Sequence, residues 1–290
     1  MTESVSSQSG FAPVEGTELY YETAGSGPWL VLLHAGIADR HMWDDQWAEF
    51  AARVRLLRYD MRGFGRSPMT GGAFSNRQDL FQLLKFLGIE SANFIGCSMG
   101  GMTLLDFSLE HPQMVRSMVL VAAAVSGMAP EGQPPREILE MIEARKTGDF
   151  ERAADLHVRI WADGFKRGGK AEAGVRERVR RMGLEALEGQ DEFLRATGFL
   201  METPLQLPAS GRLGEVRCPT LVLAGDLDDD NVLRAAETLT KGIPDARKEI
   251  IHGAAHLPNM EKPEEFNRVV LEFLNKDVNT KGTKDHEGKM

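Results

Sequence analysis

The 290 residues carry a formal net charge of −9, with 42% hydrophobic and 27% charged side chains. An acidic balance argues against a nucleic-acid partner, since neutralising phosphates takes clustered Lys and Arg. No apolar run approaches the roughly 18 to 20 residues that span a bilayer, so no membrane partner is expected and the chain reads as a soluble globular protein.

Residues 1–10 are polar and are expected as a flexible tail. The runs 11–14 and 18–22 alternate as an antiparallel hairpin would, at a sheet edge. Apolar, β-branched runs recur at 29–33, 54–59, 93–95, 118–121, 220–224 and 248–251, giving about eight strands. Helical periodicity falls between most of them, at 42–52, 78–87, 102–109, 232–241 and 263–274. Strand alternating with helix predicts an α/β fold, a mostly parallel central sheet flanked by helices.

The alternation breaks across 126–213, where four helical stretches follow one another without a strand. The core is then 11–125 plus 214–275, and 126–213 is an inserted helical cap. Phe150, Ala153, His157, Ile160 and Trp161 fall on one helical face, as do Val175, Val179 and Met182. Met141, Phe165, Phe193, Phe199 and Met201 could fill the cap's interior or line a cleft beneath it. The basic cluster 176–181 is interrupted by Glu177 and Val179 and reads as a solvated helix face. Residues 276–290 show no apolar face and are expected as a second flexible tail. With only Cys97 and Cys218, and an opening stretch lacking basic and apolar regions, a disulfide-free cytoplasmic protein is expected.

Gly96-Cys97-Ser98-Met99-Gly100 lies where a strand stops and a helix begins. On so sharp a turn, glycines two residues either side of Ser98 let strand and helix approach and leave the hydroxyl exposed above the sheet. A serine hydroxyl needs a base to take its proton, and that base needs an orienting carboxylate. His256 follows a strand and a small-residue loop, which places it on the same rim as Ser98. His34, His41, His111, His157, His252 and His286 are less suitably placed.

Asp226, Asp228, Asp229 and Asp230 all follow the strand 220–224. With Glu237 they imitate part of a calcium loop, but Asn231 stands where that loop needs glycine and a strand precedes it where a helix should. No metal is therefore expected, and Asp230 or Asn231 is read as the cap of the next helix. Asp60-x-Arg62-Gly63-x-Gly65-x-Ser67 lacks a phosphate loop's lysine and reads as a tight structural turn.

Over about residues 11–274 these segments, with His34-Ala35-Gly36 and Gly253-Ala254-Ala255-His256-Leu257-Pro258, resemble the α/β-hydrolase superfamily in motif and in order. The resemblance implies a Ser98, Asp228, His256 triad, with Asp228 ending Gly225-Asp226-Leu227-Asp228 and Asp226 as the alternative. It implies oxyanion donors at the backbone amides of Gly36 and Met99, with His34 stabilising the loop. Ala35 departs from the family's usual glycine, and Gly36 from a position often bulky. Serine at the elbow disfavours the dehalogenases and epoxide hydrolases, whose nucleophile is aspartate.

The elbow and cap look most like small carboxylesterases and the 3-oxoadipate enol-lactonase group, with carbon-carbon bond hydrolases and perhydrolases related. The expected activity is thus cofactor-free hydrolysis of a small-molecule ester or lactone through an acyl-enzyme, by a monomer or homodimer. Ile37, Trp161 and Leu257 are candidate pocket residues, and Arg136, Arg159 or Trp161 could receive a substrate carboxylate. A triad-bearing ligand receptor is the non-enzymatic alternative.

Overall fold

The computed structural model describes residues 7–70, 72–190 and 202–282. Strands β1 (Gln8–Val14) and β2 (Thr17–Ala24) form an antiparallel hairpin. Then come β3 (Trp29–Leu33), a 3₁₀ turn Arg40–Trp43, helix α1 (Asp44–Ala51), β4 (Arg55–Tyr59), α2 (Asn76–Phe86), β5 (Ala92–Cys97), α3 (Met99–Glu110) and β6 (Val115–Val121). After β6 the described residues hold α4 (Arg136–Thr147), α5 (Phe150–His157), a π turn (Val158–Asp163) and α6 (Ala173–Gly189). The chain then returns to β7 (Thr220–Gly225), α7 (Asp230–Gly242), β8 (Ala246–Ile251), a short α8 (Pro258–Glu261) and α9 (Pro263–Gly282).

The eight strands lie in the order β1-β2-β4-β3-β5-β6-β7-β8. β2 pairs antiparallel with β4, and every pairing from β4 to β8 is parallel. The expected sheet and its hairpin edge are therefore present. Alternation along β3 shows why both faces are covered. Leu30 and Leu32 pack with Phe50 and Phe266 on one face, while Val31 and Leu33 pack with Leu80 and Leu104 on the other. Burying each such side chain contributes about 1.5–3 kcal/mol before entropy is counted.

Two boundaries and one helical face differ from the sequence reading. β1 begins at Gln8, inside the stretch expected as a flexible tail, because backbone pairing of Gln8 with Thr23 needs no apolar side chain. α9 continues to Gly282, past residue 276, since intrahelical hydrogen bonds can extend where no apolar face does. The stripe from Phe150 to Trp161 is not one face: the π turn rephases the chain, so Ala153 packs with Ala144 and Leu187 while Ile160 packs with Met141 and Leu156. Phe193, Phe199 and Met201 lie outside the described residues.

The 60–67 loop is a structural turn built around one carboxylate. Asp60 accepts from Arg40 Nη1 at 2.7 Å and from the amides of Arg40 and Arg66. A Cβ on Gly65, at φ +50, would stand 2.4 Å from Asp60 Oδ2. The basic cluster is solvated only in part: Arg176 pairs with Asp163, Arg178 with Asp45, and Arg180 with Glu151 and Asp155.

Candidate active site

Ser98 sits between β5 and α3 at φ 51, ψ −111, a region a non-glycine residue rarely occupies. Close approach of strand and helix holds it there. A Cβ on Gly96 would come within 2.5 Å of the Gly100 carbonyl oxygen, and one on Gly100 within 2.5 Å of the His34 carbonyl oxygen. Gly101 continues the contact, where a Cβ would meet that of Ala123 at 2.6 Å. The Ser98 amide donates to Val121 O at 2.8 Å, anchoring the turn to β6. Cys97, beside it, is buried, and burial pushes its thiol well above the usual range, so it stays protonated.

His256 and Asp228 leave the C-terminal ends of neighbouring strands and meet below the surface. The imidazole Nδ1 lies 2.9 Å from Asp228 Oδ2 and 3.2 Å from Oδ1, with only 3% and 2% of the two residues exposed. Such a contact favours the tautomer with the proton on Nδ1, leaving Nε2 as a base. Asp228 Oδ1 also accepts from the Asp229 amide at 2.8 Å. Ser98 and His256 line the same cleft.

The four aspartates after β7 each have a separate task. Asp226 accepts from the Gly253 amide at 2.7 Å and contacts exposed His252, Asp228 meets His256, and Asp230 pairs with Lys166 at 2.6 Å. Asp229, rather than Asp230 or Asn231, caps α7 by accepting from the Asn231 amide at 2.8 Å. The helix begins at Asp230, two residues before its apolar periodicity does. Among the described residues no group of three or more His, Cys, Asp or Glu could hold a metal ion.

Met99 opens α3, and Gly36 lies against it: a Cβ on Gly36 would stand 3.3 Å from Met99 Sδ. His34 holds the loop from below, its Nδ1 donating to Ala35 O at 2.9 Å and its Nε2 accepting from the Met61 amide at 2.9 Å. Burial lowers the pKa of its ring, keeping it neutral.

The cleft has two lobes with Ser98, Trp161 and His256 common to both. One, of about 180 Å³, is bounded by Ala122, Val125, Met128 and Val232. The other, of about 280 Å³, is bounded by Gly36, Ile37, Phe64, Met99, Arg145 and His157. The π turn carries Trp161 over the imidazole, with ring centroids 4.5 Å apart. π turns of this kind often mark functional positions in helices.

Ile37 and Trp161 thus line the cleft, whereas Leu257 does not. It is fully buried in the core with Met260 and Phe266, because the chain turns down into α8 directly after His256. Arg136 is largely exposed and pairs with Glu140, and Arg159 donates to Gly164 O, so neither faces the cleft. Sequence reasoning missed Phe64, Arg145 and Glu261. Glu261 accepts from the Ala255 amide at 2.9 Å and pairs with Arg167, holding the loop on either side of His256. Its signal in the sequence was Pro258, which can open a helix, with an acid in that first turn.

Residues 30–269 match the model of a family described as the alpha/beta hydrolase family. The chain is 26% identical to 3-oxoadipate enol-lactonase 1 of Acinetobacter baylyi, covering 86% of this chain and 89% of the relative. It is 27% identical to 2-hydroxy-6-oxo-6-phenylhexa-2,4-dienoate hydrolase of Comamonas testosteroni, covering 88% and 91%. Among solved structures, a thermophilic esterase from Thermogutta terrifontis superposes with a TM-score of 0.77 at 26% identity, covering 93% and 99% of the two chains. The enol-lactonase from Burkholderia xenovorans LB400 gives 0.74 at 28% identity, covering 92% and 100%. An eight-stranded, mostly parallel sheet under a serine elbow, matched along most of its length by one family model, places this chain in the alpha/beta hydrolase family.

Proposed function

We propose that the protein is a serine hydrolase that cleaves carboxylic esters by a Ser98, His256, Asp228 triad. The observation that carries this reading is the buried contact of His256 Nδ1 with Asp228 at 2.9 Å, beside a serine at positive φ. Ser98 Oγ attacks the carbonyl carbon as His256 Nε2 takes its proton. The oxyanion is held by the amides of Gly36 and Met99, the latter at the positive end of α3. The tetrahedral species then expels the alcohol, which receives the proton from His256. Water, deprotonated by the same imidazole, releases the acid and restores Ser98.

Asp228 orients the ring and stabilises its charged form. Residues 126–213 serve as the cap whose Trp161 roofs the reaction. The substrate is a small ester or lactone, and the protein acts in the cytoplasm as a monomer or homodimer without a cofactor. Kinship with the enol-lactonases makes a lactone the second reading.

A fluorophosphonate probe tests the proposal. The wild-type protein should label at Ser98 and turn over simple aryl esters repeatedly, whereas Ser98→Ala should do neither. Labelling without sustained turnover would favour a ligand receptor, and absence of labelling would remove the nucleophile from the scheme.

A further inference from the structure

The cap is rich in paired arginines. Arg136 and Arg152 share Glu140, Arg176 meets Asp163, and Arg180 meets Glu151 and Asp155. Arg145, in the last turn of α4, is different. Its Nε is buried without a hydrogen-bond partner, and no ion pair reaches its guanidinium among the described residues. Desolvation lowers its pKa with no carboxylate opposing the effect. The chain carries 43 acidic against 34 basic side chains, so acids for pairing are plentiful. The residue as a whole is part-buried, so its guanidinium keeps some access to the cleft while lacking a counter-ion, and the C-terminal dipole of α4 offsets only part of the desolvation.

Arg145 lines the 280 Å³ lobe that also contains Ser98, Gly36 and Met99. His157 lines it too and is similarly unsatisfied: its Nδ1 is buried with no hydrogen bond and faces Gly183 so closely that a Cβ there would stand 2.8 Å away. An orphaned acceptor costs less than an orphaned N–H, so the ring proton belongs on Nε2. Two polar side chains thus border one apolar lobe with their hydrogen-bonding capacity unspent.

Building on the ester-hydrolase reading, we infer that this lobe is a carboxylate subsite, with Arg145 its counter-ion, and that the substrate is an ester or lactone bearing a free carboxylate besides the scissile group. The guanidinium fork matches a carboxylate's two oxygens. A phosphate monoester fits less well, since its second charge would lie against Ile37, Phe64 and Met141 with only one cation in the lobe. The carboxylate takes no part in bond making. It fixes the acyl carbonyl over Ser98, so its binding appears mainly in KM.

The test compares mono-4-nitrophenyl hexanedioate with 4-nitrophenyl hexanoate, which differ by the terminal carboxylate. The wild-type enzyme should favour the charged ester in kcat/KM. Arg145→Met should lower the charged-to-neutral ratio about 30- to 100-fold, chiefly through KM, and Arg145→Lys should restore part of it. Arg136→Met, on the same helix but outside the cleft, should leave the ratio as it is. A wild-type preference for the neutral ester, or a ratio within about threefold of wild type in Arg145→Met, overturns the inference.

Should Arg145→Met fail to fold, inhibition of the wild-type enzyme decides. Hexanoate should inhibit neutral-ester hydrolysis at least about tenfold better than hexanamide, and equal inhibition overturns the subsite. A protein that labels at Ser98 but ignores the carboxylate refutes only this inference. One that neither labels nor turns over either ester refutes the hydrolase reading itself.

Discussion

The imidazole of His34 joins two loops that the sequence separates by 27 positions, accepting the Met61 amide at Nε2 while its own Nδ1–H reaches Ala35 O. Both nitrogens are used and the residue is fully buried, so no proton-transfer role remains for it. Under the proposed mechanism, its effect on catalysis passes through the position of Gly36. Replacing His34 by Ala should destabilise the fold by about 3 kcal/mol, combining a cavity with an orphaned Met61 N–H. At a temperature where the variant is still folded, kcat should fall about tenfold as the Gly36 donor drifts. Urea unfolding and steady-state kinetics on one preparation check both, and an undiminished kcat would free the loop from His34.

Gly100→Ala tests the approach of α3 to β3. The new Cβ would lie 2.5 Å from His34 O and 2.6 Å from Leu33 O, both backbone atoms of a central region that cannot shift alone. A loss of about 3 kcal/mol or more is expected, read as a lower Tm and poorer soluble yield. A Tm within about one degree of wild type would mean that the elbow relaxes easily.

Asp226 and Asp228 stand two residues apart in the same turn yet should respond oppositely. Asp228→Asn should lower kcat by about 10⁴, because the amide no longer holds the imidazole in its reactive tautomer. Asp226→Asn should retain most activity, since Asp226 supports the Gly253 amide and exposed His252 instead. Comparable losses in both variants would reassign the acid.

Acid should weaken the fold in part through His157. Burial lowers its pKa to about 3 from an ordinary 6.5. Below pH 6.5 the unfolded chain binds a proton that the folded one refuses, so stability falls as pH drops and the loss continues towards about pH 3. His34 and His111 shift in the same direction, while buried Asp60 and Glu261, with raised pKa values, act in the opposite sense. Subtraction isolates His157: between pH 7 and pH 5 the stability difference between wild type and His157→Leu should change by about 2 kcal/mol in the variant's favour. Urea unfolding at the two pH values measures it, and a constant difference would mean that the buried ring takes up a proton.

The central strands β3, β5, β6 and β7 were legible because they are largely apolar on both faces, and the elbow because a strand stop, a serine and flanking glycines coincide within five residues. That Ser98, Asp228 and His256 share one rim was legible for the same reason, as each follows the end of a strand. The cleft walls were not. Trp161 reaches the imidazole only because a π turn interrupts the α5 periodicity, and a 3.6-residue pattern cannot show an interruption in itself. Leu257 was misplaced because adjacency to His256 along the chain says nothing about which side of the turn faces the core. Arg145 looked like any other cap arginine, since having no partner is a property of three-dimensional surroundings.

Trp161 is one wall shared by both lobes, borne on a turn outside the sheet that carries Ser98, Asp228 and His256. Change in that turn can redraw the boundary between the two lobes while the proposed triad keeps its place. A lineage built this way can try new substrates at a few cap positions without first losing its chemistry.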